Sequence, residues 1–227
     1  MAKKIKKKTK IKIIPLFIFL LLLLIAFFLI SFFMNAKIKN IYVYDNNVLS
    51  DQEIIELAKL ENYPSFLKTS SYGIEKKIKK NPYIEKVKVK KGLIATINIY
   101  ISEYNLLFVK ESEKKVVVDN NKEIDLDKKV NGIPVLVNYI PDTVYDAFVA
   151  EMKKVDSVTK SKISQIEYSP NDYDKERFLL YMNDGNKVYL TISRFELINK
   201  YNDIYPTLGG KKGILYLDSG NHFEIKE

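Results

Sequence analysis

Residues 13–34 read IIPLFIFLLLLLIAFFLISFFM, twenty-two positions without a charge, and the preceding residues are MAKKIKKKTKIK. As a helix this stretch spans about 33 Å, enough to cross a hydrocarbon layer of about 30 Å. Seven lysines come before it (Lys3, Lys4, Lys6, Lys7, Lys8, Lys10 and Lys12), and no Asp or Glu occurs until Asp45. Lysines on one flank of a membrane helix keep that flank in the cytoplasm. The pattern therefore predicts a cytoplasmic tail over residues 1–12, a signal-anchor helix over 13–34, and export of everything beyond. A cleaved signal peptide fits less well. Its apolar core would be shorter and would end at small residues, whereas Met34 stands at the exit.

The net charge of +9, from 37 basic and 28 acidic residues, suggests a nucleic-acid partner until it is located. The tail holds seven of the basic residues and none of the acidic ones, so most of the basicity is a topology signal. No nucleic-acid partner is expected. The chain has no cysteine, which excludes disulfides and thiolate chemistry and leaves packing to hold an exported domain together.

Beyond the helix, residues 38–44 read as a strand. Ser50 and Glu53 form a capping box that opens a helix with Ile54, Leu57 and Ala58 on one face, ended by Asn62-Tyr63-Pro64. A second helix starts near Ser71, with Ile74 and Ile78 on its apolar side. Lys76, Lys77, Lys79 and Lys80 lie largely opposite, as a solvated face or one that meets anionic polymers. Val87 and Val89 alternate with lysines, Lys91-Gly92 turns the chain, and Ala95, Ile97, Ile99 and Ile101 mark the buried side of the returning strand. The order is β-α-α-β-β, a small α+β domain over residues 35–103.

Residues 104–227 are richer in strands. Segments 106–109, 116–118, 163–168, 177–182, 187–192, 214–217 and 222–225 are strand-like. A helical stripe runs from Asp142 through Val144, Phe148, Met152 and Val155. Asn183-Asp184-Gly185-Asn186 reads as a hairpin turn. Ser193 and Glu196 offer a second capping box, opening a helix with Leu197, Tyr201 and Ile204 that stops at Gly209-Gly210. The fold class predicted is α+β: a membrane helix, a β-α-α-β-β domain, and a mostly antiparallel β domain with flanking helices.

Catalytic constellations are sparse. His222 is the single histidine, and without cysteines a zinc site would need carboxylates alone. Ser31-Phe32-Phe33-Met34 has the spacing of a Ser-Lys hydrolase nucleophile but lies inside the apolar helix, where serine bonds a backbone carbonyl instead. Gly209-Gly210-Lys211-Lys212-Gly213 lacks the spacing of a phosphate loop. The chain is expected to be no enzyme and to need no cofactor, metal or small-molecule substrate. A membrane-anchored hydrolase and a component of an envelope export or assembly pathway are the alternatives.

The order of parts resembles the FtsQ/DivIB family of bacterial division proteins, and the smaller domain looks like a POTRA domain. The resemblance rests on Asn81-Pro82-Tyr83-Ile84, Val87-Lys88-Val89, and Ile97-Asn98-Ile99 with Ile101-Ser102-Glu103. Downstream it rests on Val116–Asp119, Gly132-Ile133-Pro134-Val135-Leu136 and Gly213-Ile214-Leu215-Tyr216-Leu217-Asp218. It implies a non-enzymatic scaffold of the division septum. The implied partners are bitopic proteins of the FtsB/DivIC and FtsL type, with septal peptidoglycan synthesis proteins beyond them. In the family the partner pairs with the edge of the C-terminal sheet. Carried onto this chain, segments 214–217 and 222–225 are the candidate strands. Ile214, Leu215, Tyr216, Leu217, His222 and Phe223 are the candidate contacts, with Tyr216 and Phe223 as apolar anchors.

Overall fold

A computed structural model describes residues 13–225. The seven tail lysines (Lys3 to Lys12) lie outside the described residues. The chain divides after Glu103 into two compact units.

The first unit opens with α1 (Ile13–Met34), which is long and apolar enough to cross a membrane. Then come β1 (Asn40–Tyr44), α2 (Asp51–Ala58), α3 (Ser71–Ile78), β2 (Ile84–Lys91) and β3 (Thr96–Glu103). The sheet order is β1-β3-β2, with β1 parallel and β2 antiparallel to β3. Ile97, Ile99 and Ile101 turn one face of β3 inward, and Ile54, Ala58, Ile74 and Ile78 from the two helices are buried with them.

Helix α2 begins as its capping box requires. The Glu53 N–H donates to Ser50 Oγ at 3.3 Å, and the Ser50 N–H donates to Glu53 Oε2 at 2.7 Å. It ends earlier than Asn62-Tyr63-Pro64. Lys59 takes a left-handed conformation (φ 57°), which lets the Leu60 N–H reach back to the Ile55 carbonyl at 3.0 Å and buries Leu60. The β2–β3 turn also differs from expectation. The positive φ angles belong to Ile94 (55°) and Ala95 (54°), so Ala95 lies in the turn and not on the buried face of β3.

Two of the four helix lysines are used within the unit. Lys77 Nζ donates to the Ala58 carbonyl at 3.1 Å, and Lys79 Nζ donates to the carbonyls of Ile84 and Glu85. Glu75 Oε1 accepts the Val89 N–H at 2.7 Å. Side chains of α3 thus occupy part of the outer edge of β2, which blunts it as a template for pairing.

Glu103, the acidic end of the β3 motif, has a structural task. Its carboxylate accepts the N–H groups of Asn47, Val48 and Leu49 at 2.8, 2.7 and 2.8 Å, fixing the loop that leads into α2.

The second unit comprises β4 (Leu106–Lys110), β5 (Lys115–Val118), β6 (Glu123–Asp125), β7 (Val135–Leu136), α4 (Asp142–Met152), α5 (Ser157–Lys162), β8 (Ile163–Tyr168), β9 (Arg177–Met182) and β10 (Lys187–Thr191). A 3-10 stretch, Ile192–Lys200, leads into α6 (Tyr201–Ile204), and β11 (Gly213–Tyr216) and β12 (His222–Ile225) close the unit. Among the described residues all nine strands join one sheet, ordered β12-β11-β10-β9-β8-β7-β4-β5-β6. Its core face packs Phe178, Leu180, Val188 and Leu190 against Phe148 of α4 and Phe195.

No capping box forms at Ser193. Thr191 precedes the 3-10 stretch without a side-chain cap, and Arg194 is non-helical (φ −126°). Its guanidinium is engaged elsewhere, as described below. Helix α5, six residues without an apolar stripe in the sequence, carries a buried lysine. Lys160 Nζ donates to Asn105 Oδ1 at 2.9 Å and to the Leu106 carbonyl at 3.0 Å. Burial pushes its pKa down, opposed by Asp119 and Asp156.

Replacing Glu103 by Ala removes three hydrogen bonds to a charged acceptor, each typically contributing on the order of 1.5–3 kcal/mol before relaxation and water recover part of it. Glu103→Ala is expected to destabilise the first unit by about 2–4 kcal/mol in urea titration, with Glu103→Gln costing less. A loss below about 0.5 kcal/mol for the alanine variant would show that water replaces the carboxylate without penalty.

Candidate partner-binding edge

The two ends of the nine-stranded sheet differ chemically. At one end β6 has only three residues, and its Glu123 is held by two lysines: Oε1 lies 2.9 Å from Lys110 Nζ and Oε2 lies 3.0 Å from Lys115 Nζ. Lys110 also pairs with Glu113 at 2.6 Å. Burial pushes the Lys110 ammonium down, but the two carboxylates outweigh it and raise its pKa to about 12. Burial raises Glu123 in turn, and the lysines outweigh that and leave its pKa lowered. A short edge with paired charges discourages a further strand.

At the other end, among the described residues, β12 is paired on one side only. Its register with β11 sets Gly213 opposite Ile225, Ile214 opposite Glu224, Leu215 opposite Phe223 and Tyr216 opposite His222. Gly213 permits this close approach. A Cβ there would meet the Glu224 carbonyl and lie 2.8 Å from Phe223 Cζ. The Gly213 N–H donates to Asn186 Oδ1 at 2.9 Å, and Asn186 Nδ2 donates to the Tyr201 hydroxyl at 3.0 Å. The hairpin turn after β9 therefore also anchors the start of β11.

The turn between β11 and β12 is held by the two arginines of the chain. Arg177 Nε donates to Asp218 Oδ2 at 2.7 Å, with both side chains largely buried. Arg194 Nη1 donates to the Asp218 carbonyl at 3.3 Å, and Nη2 donates to Asn221 Oδ1 at 2.8 Å. The Arg177 guanidinium also lies 3.4 Å from the centroid of Tyr189. Tyr189 stacks on Tyr216 at 5.4 Å, and Tyr216 stacks on His222 at 4.6 Å. A ladder of flat groups thus crosses β9, β10, β11 and β12. The Tyr216 hydroxyl donates to Glu224 Oε2 at 3.0 Å; burial, then this carboxylate, raises its pKa.

The predicted contact residues separate into three groups. Leu215 and Leu217, each 3% exposed, point into the core, and β11 lies inside the sheet. The expectation that segment 214–217 supplies a free edge is corrected: its N–H and C=O groups face β10 and β12. Ile214 and Tyr216 are half-buried on the opposite face, and His222 is exposed. Phe223 is half-buried and packs on the core. With Leu197, Ile204, Leu208, Leu215 and Leu217 it lines a groove of about 270 Å³ beside β12. Arg177, Tyr189, Arg194 and Gly213 were missed as site residues. For the two arginines the one signal in the sequence is their rarity, which says nothing of what they touch; Gly213 opens the 213–218 motif, which does not show what approaches it.

Comparison with known proteins agrees with this architecture. Residues 36–104 match the POTRA domain of the FtsQ type, and residues 108–219 match the C-terminal domain of the cell division protein FtsQ/DivIB. A POTRA domain followed by this β domain defines a class of division proteins that carries no catalytic activity. Cell division protein DivIB of Bacillus subtilis (strain 168) is 30% identical over 195 residues, covering 83% of this chain and 74% of the relative. DivIB of Listeria monocytogenes serovar 1/2a is 28% identical over 229 residues, covering 98% and 85%. The solved major extracytoplasmic domain of DivIB from Geobacillus stearothermophilus shares 19% identity at a TM-score of 0.37, covering 48% of this chain and 92% of that one. The chain belongs to the FtsQ/DivIB family of cell division proteins.

Two measurements check the chemistry of the sheet ends. Arg177→Lys keeps the charge but loses the planar stack and the Nε bond, so a loss of about 1–3 kcal/mol is expected. Amide exchange should accelerate across 218–225; unchanged exchange there would mean that Arg194 alone suffices to hold the turn. At the other end, a carboxylate with a lowered folded pKa contributes stability above its ordinary value of 4.5 and loses it as the pH falls through the folded value. Glu123→Gln should therefore cost about 1 kcal/mol at pH 7 after solvent screening, with the difference from wild type closing in acid. A difference that persists undiminished at pH 2 would point to packing, not charge.

Proposed function

We propose that the protein is a non-enzymatic scaffold of the bacterial division septum, anchored by one helix, which takes a strand from a bitopic division protein onto β12. Residues 1–12 are assigned to the cytoplasm, 13–34 to the bilayer, and both the POTRA unit (35–103) and the β unit (104–227) to the outside. The lysine tail supports that orientation.

The observation that carries the reading is the contrast between the two sheet ends. An added strand needs an unpaired row of N–H and C=O groups for affinity and a pocket for alternate side chains for specificity. β12 lies outermost, and a groove of mixed lining, with Phe223 and Leu197 beside Lys200 and Asn221, runs beside it. β6 is short and ion-paired. Partners of the FtsB/DivIC and FtsL type are single-pass proteins, so sharing one membrane raises their effective concentration at the edge. Septal peptidoglycan synthesis proteins would be reached through those partners.

A photo-crosslinking amino acid placed singly at positions 222–225 and 123–125 of the full chain tests the reading in dividing cells. Adducts to a small bitopic protein are expected from β12 and not from β6. Adducts from β6 with none from β12, in cells that divide normally, would reject the assignment of the edge.

A further inference from the structure

Leu93 and Ile94 form the tip of the β2–β3 turn and are 88% and 75% exposed. Neither the turn nor the core accounts for them. Ile94 occupies the left-handed region, which disfavours a β-branched side chain and usually selects Gly or Asn. Two apolar residues held in water, one of them (Ile94) on a disfavoured backbone, gain nothing from the fold itself.

Their position supplies a reason. The Lys39 N–H donates to the Ala95 carbonyl at 2.9 Å, and Lys91 Nζ donates to the Phe66 carbonyl at 2.6 Å. The Phe66 N–H donates to the Ala36 carbonyl at 2.8 Å. Ser65 Oγ donates to the Met34 carbonyl at 2.5 Å, and Lys68 Nζ donates to Asn35 Oδ1 at 2.9 Å. The β2–β3 turn and the 65–68 loop therefore stand at the end of the POTRA unit from which α1 departs. Chain length sets the same limit independently: the four residue steps from Met34 to the buried Ile38 reach at most about 14 Å. Leu67, 52% exposed, adds a third apolar side chain at this end.

We infer that Leu93, Ile94 and Leu67 dip into the headgroup layer of the bilayer that α1 crosses, with Lys68 and Lys91 beside the lipid phosphates. The inference rests on the reading of 13–34 as a membrane span. Apolar tips flanked by lysines suit this layer, because the side chains leave water while the ammonium groups stay at the polar surface. Seated this way, the POTRA unit is held at a second point besides its covalent link to α1.

The absence of cysteine allows single labels in the full chain. Leu93→Cys, Leu24→Cys and Tyr173→Cys variants, each carrying an environment-sensitive nitrobenzoxadiazole label, are reconstituted into phosphatidylcholine–phosphatidylglycerol vesicles containing nitroxide-bearing lipids. Tyr173 is fully exposed in the second unit and serves as the water reference. Strong quenching at 24 and 93, with little at 173, is expected. Quenching at 93 no greater than at 173, with 24 still quenched, overturns the inference and leaves the span intact. Loss of quenching at 24 overturns both. Protection of the label at 93 by a co-purifying protein without lipid quenching also overturns the inference and makes the tip a protein contact.

Discussion

Phe148 of α4 stacks on Phe178 of β9 with centroids 4.7 Å apart, and Phe195 meets both rings edge-on at 5.7 and 5.8 Å. Everything else in the second unit is arranged around this contact between the helical layer and the centre of the sheet. A chain without cysteine has no covalent alternative, so the core must be closed by packing. Buried aromatic side chains contribute large apolar area and preferred ring geometries, which define how α4 and the 3-10 stretch lie on β9 and β10.

From that centre the sheet extends to β12 by progressively more polar means. Val188 and Leu190 still face the core, but beyond β10 the joints are the Asn186–Gly213 hydrogen bond, the ring ladder and the Arg177–Asp218 pair. A largely buried ion pair is seldom a large net source of stability, yet losing one partner is costly because the other charge is left without compensation. Its use here is positional. It fixes the β11–β12 turn, and so presents β12 as an ordered edge. Paired charge at β6 has the opposite effect: Glu123 of the edge strand, held by Lys110 and Lys115 from β4 and β5, guards that end.

Much of this was legible in the sequence because it depends on local periodicity. Val87 and Val89 alternating with lysines, the apolar face of Ile97, Ile99 and Ile101, and the Ser50–Glu53 cap are all settled by neighbours a few residues away. Local signals failed where a distant partner decided the backbone. Ser193 and Glu196 have the spacing of a cap, but Arg194 between them is drawn to Asp218 and Asn221 and the stretch becomes a 3-10 helix. Asn62-Tyr63-Pro64 is a reasonable helix stop, but burying Leu60 ends α2 sooner through a left-handed Lys59. Lys160 is buried because Asn105 and the Leu106 carbonyl at the start of β4 supply its two acceptors, and no neighbour in the sequence signals them.

The membrane segment, the division into a β-α-α-β-β part and a β part, and the family likeness all follow from residue order, because length, charge and alternation are properties of the chain alone. Which strand is outermost is not such a property. Segments 214–217 and 222–225 read alike, and only the pairing of β10 with β11 puts one inside the sheet and the other at its rim. The seating of Leu93 and Ile94 beside the departure of α1 is of the same kind, since hydrogen bonds from Lys39 and Lys91 bring together parts of the chain more than fifty and twenty residues apart. Contacts across such separations arise from how the whole unit closes its core, and no window of sequence contains them.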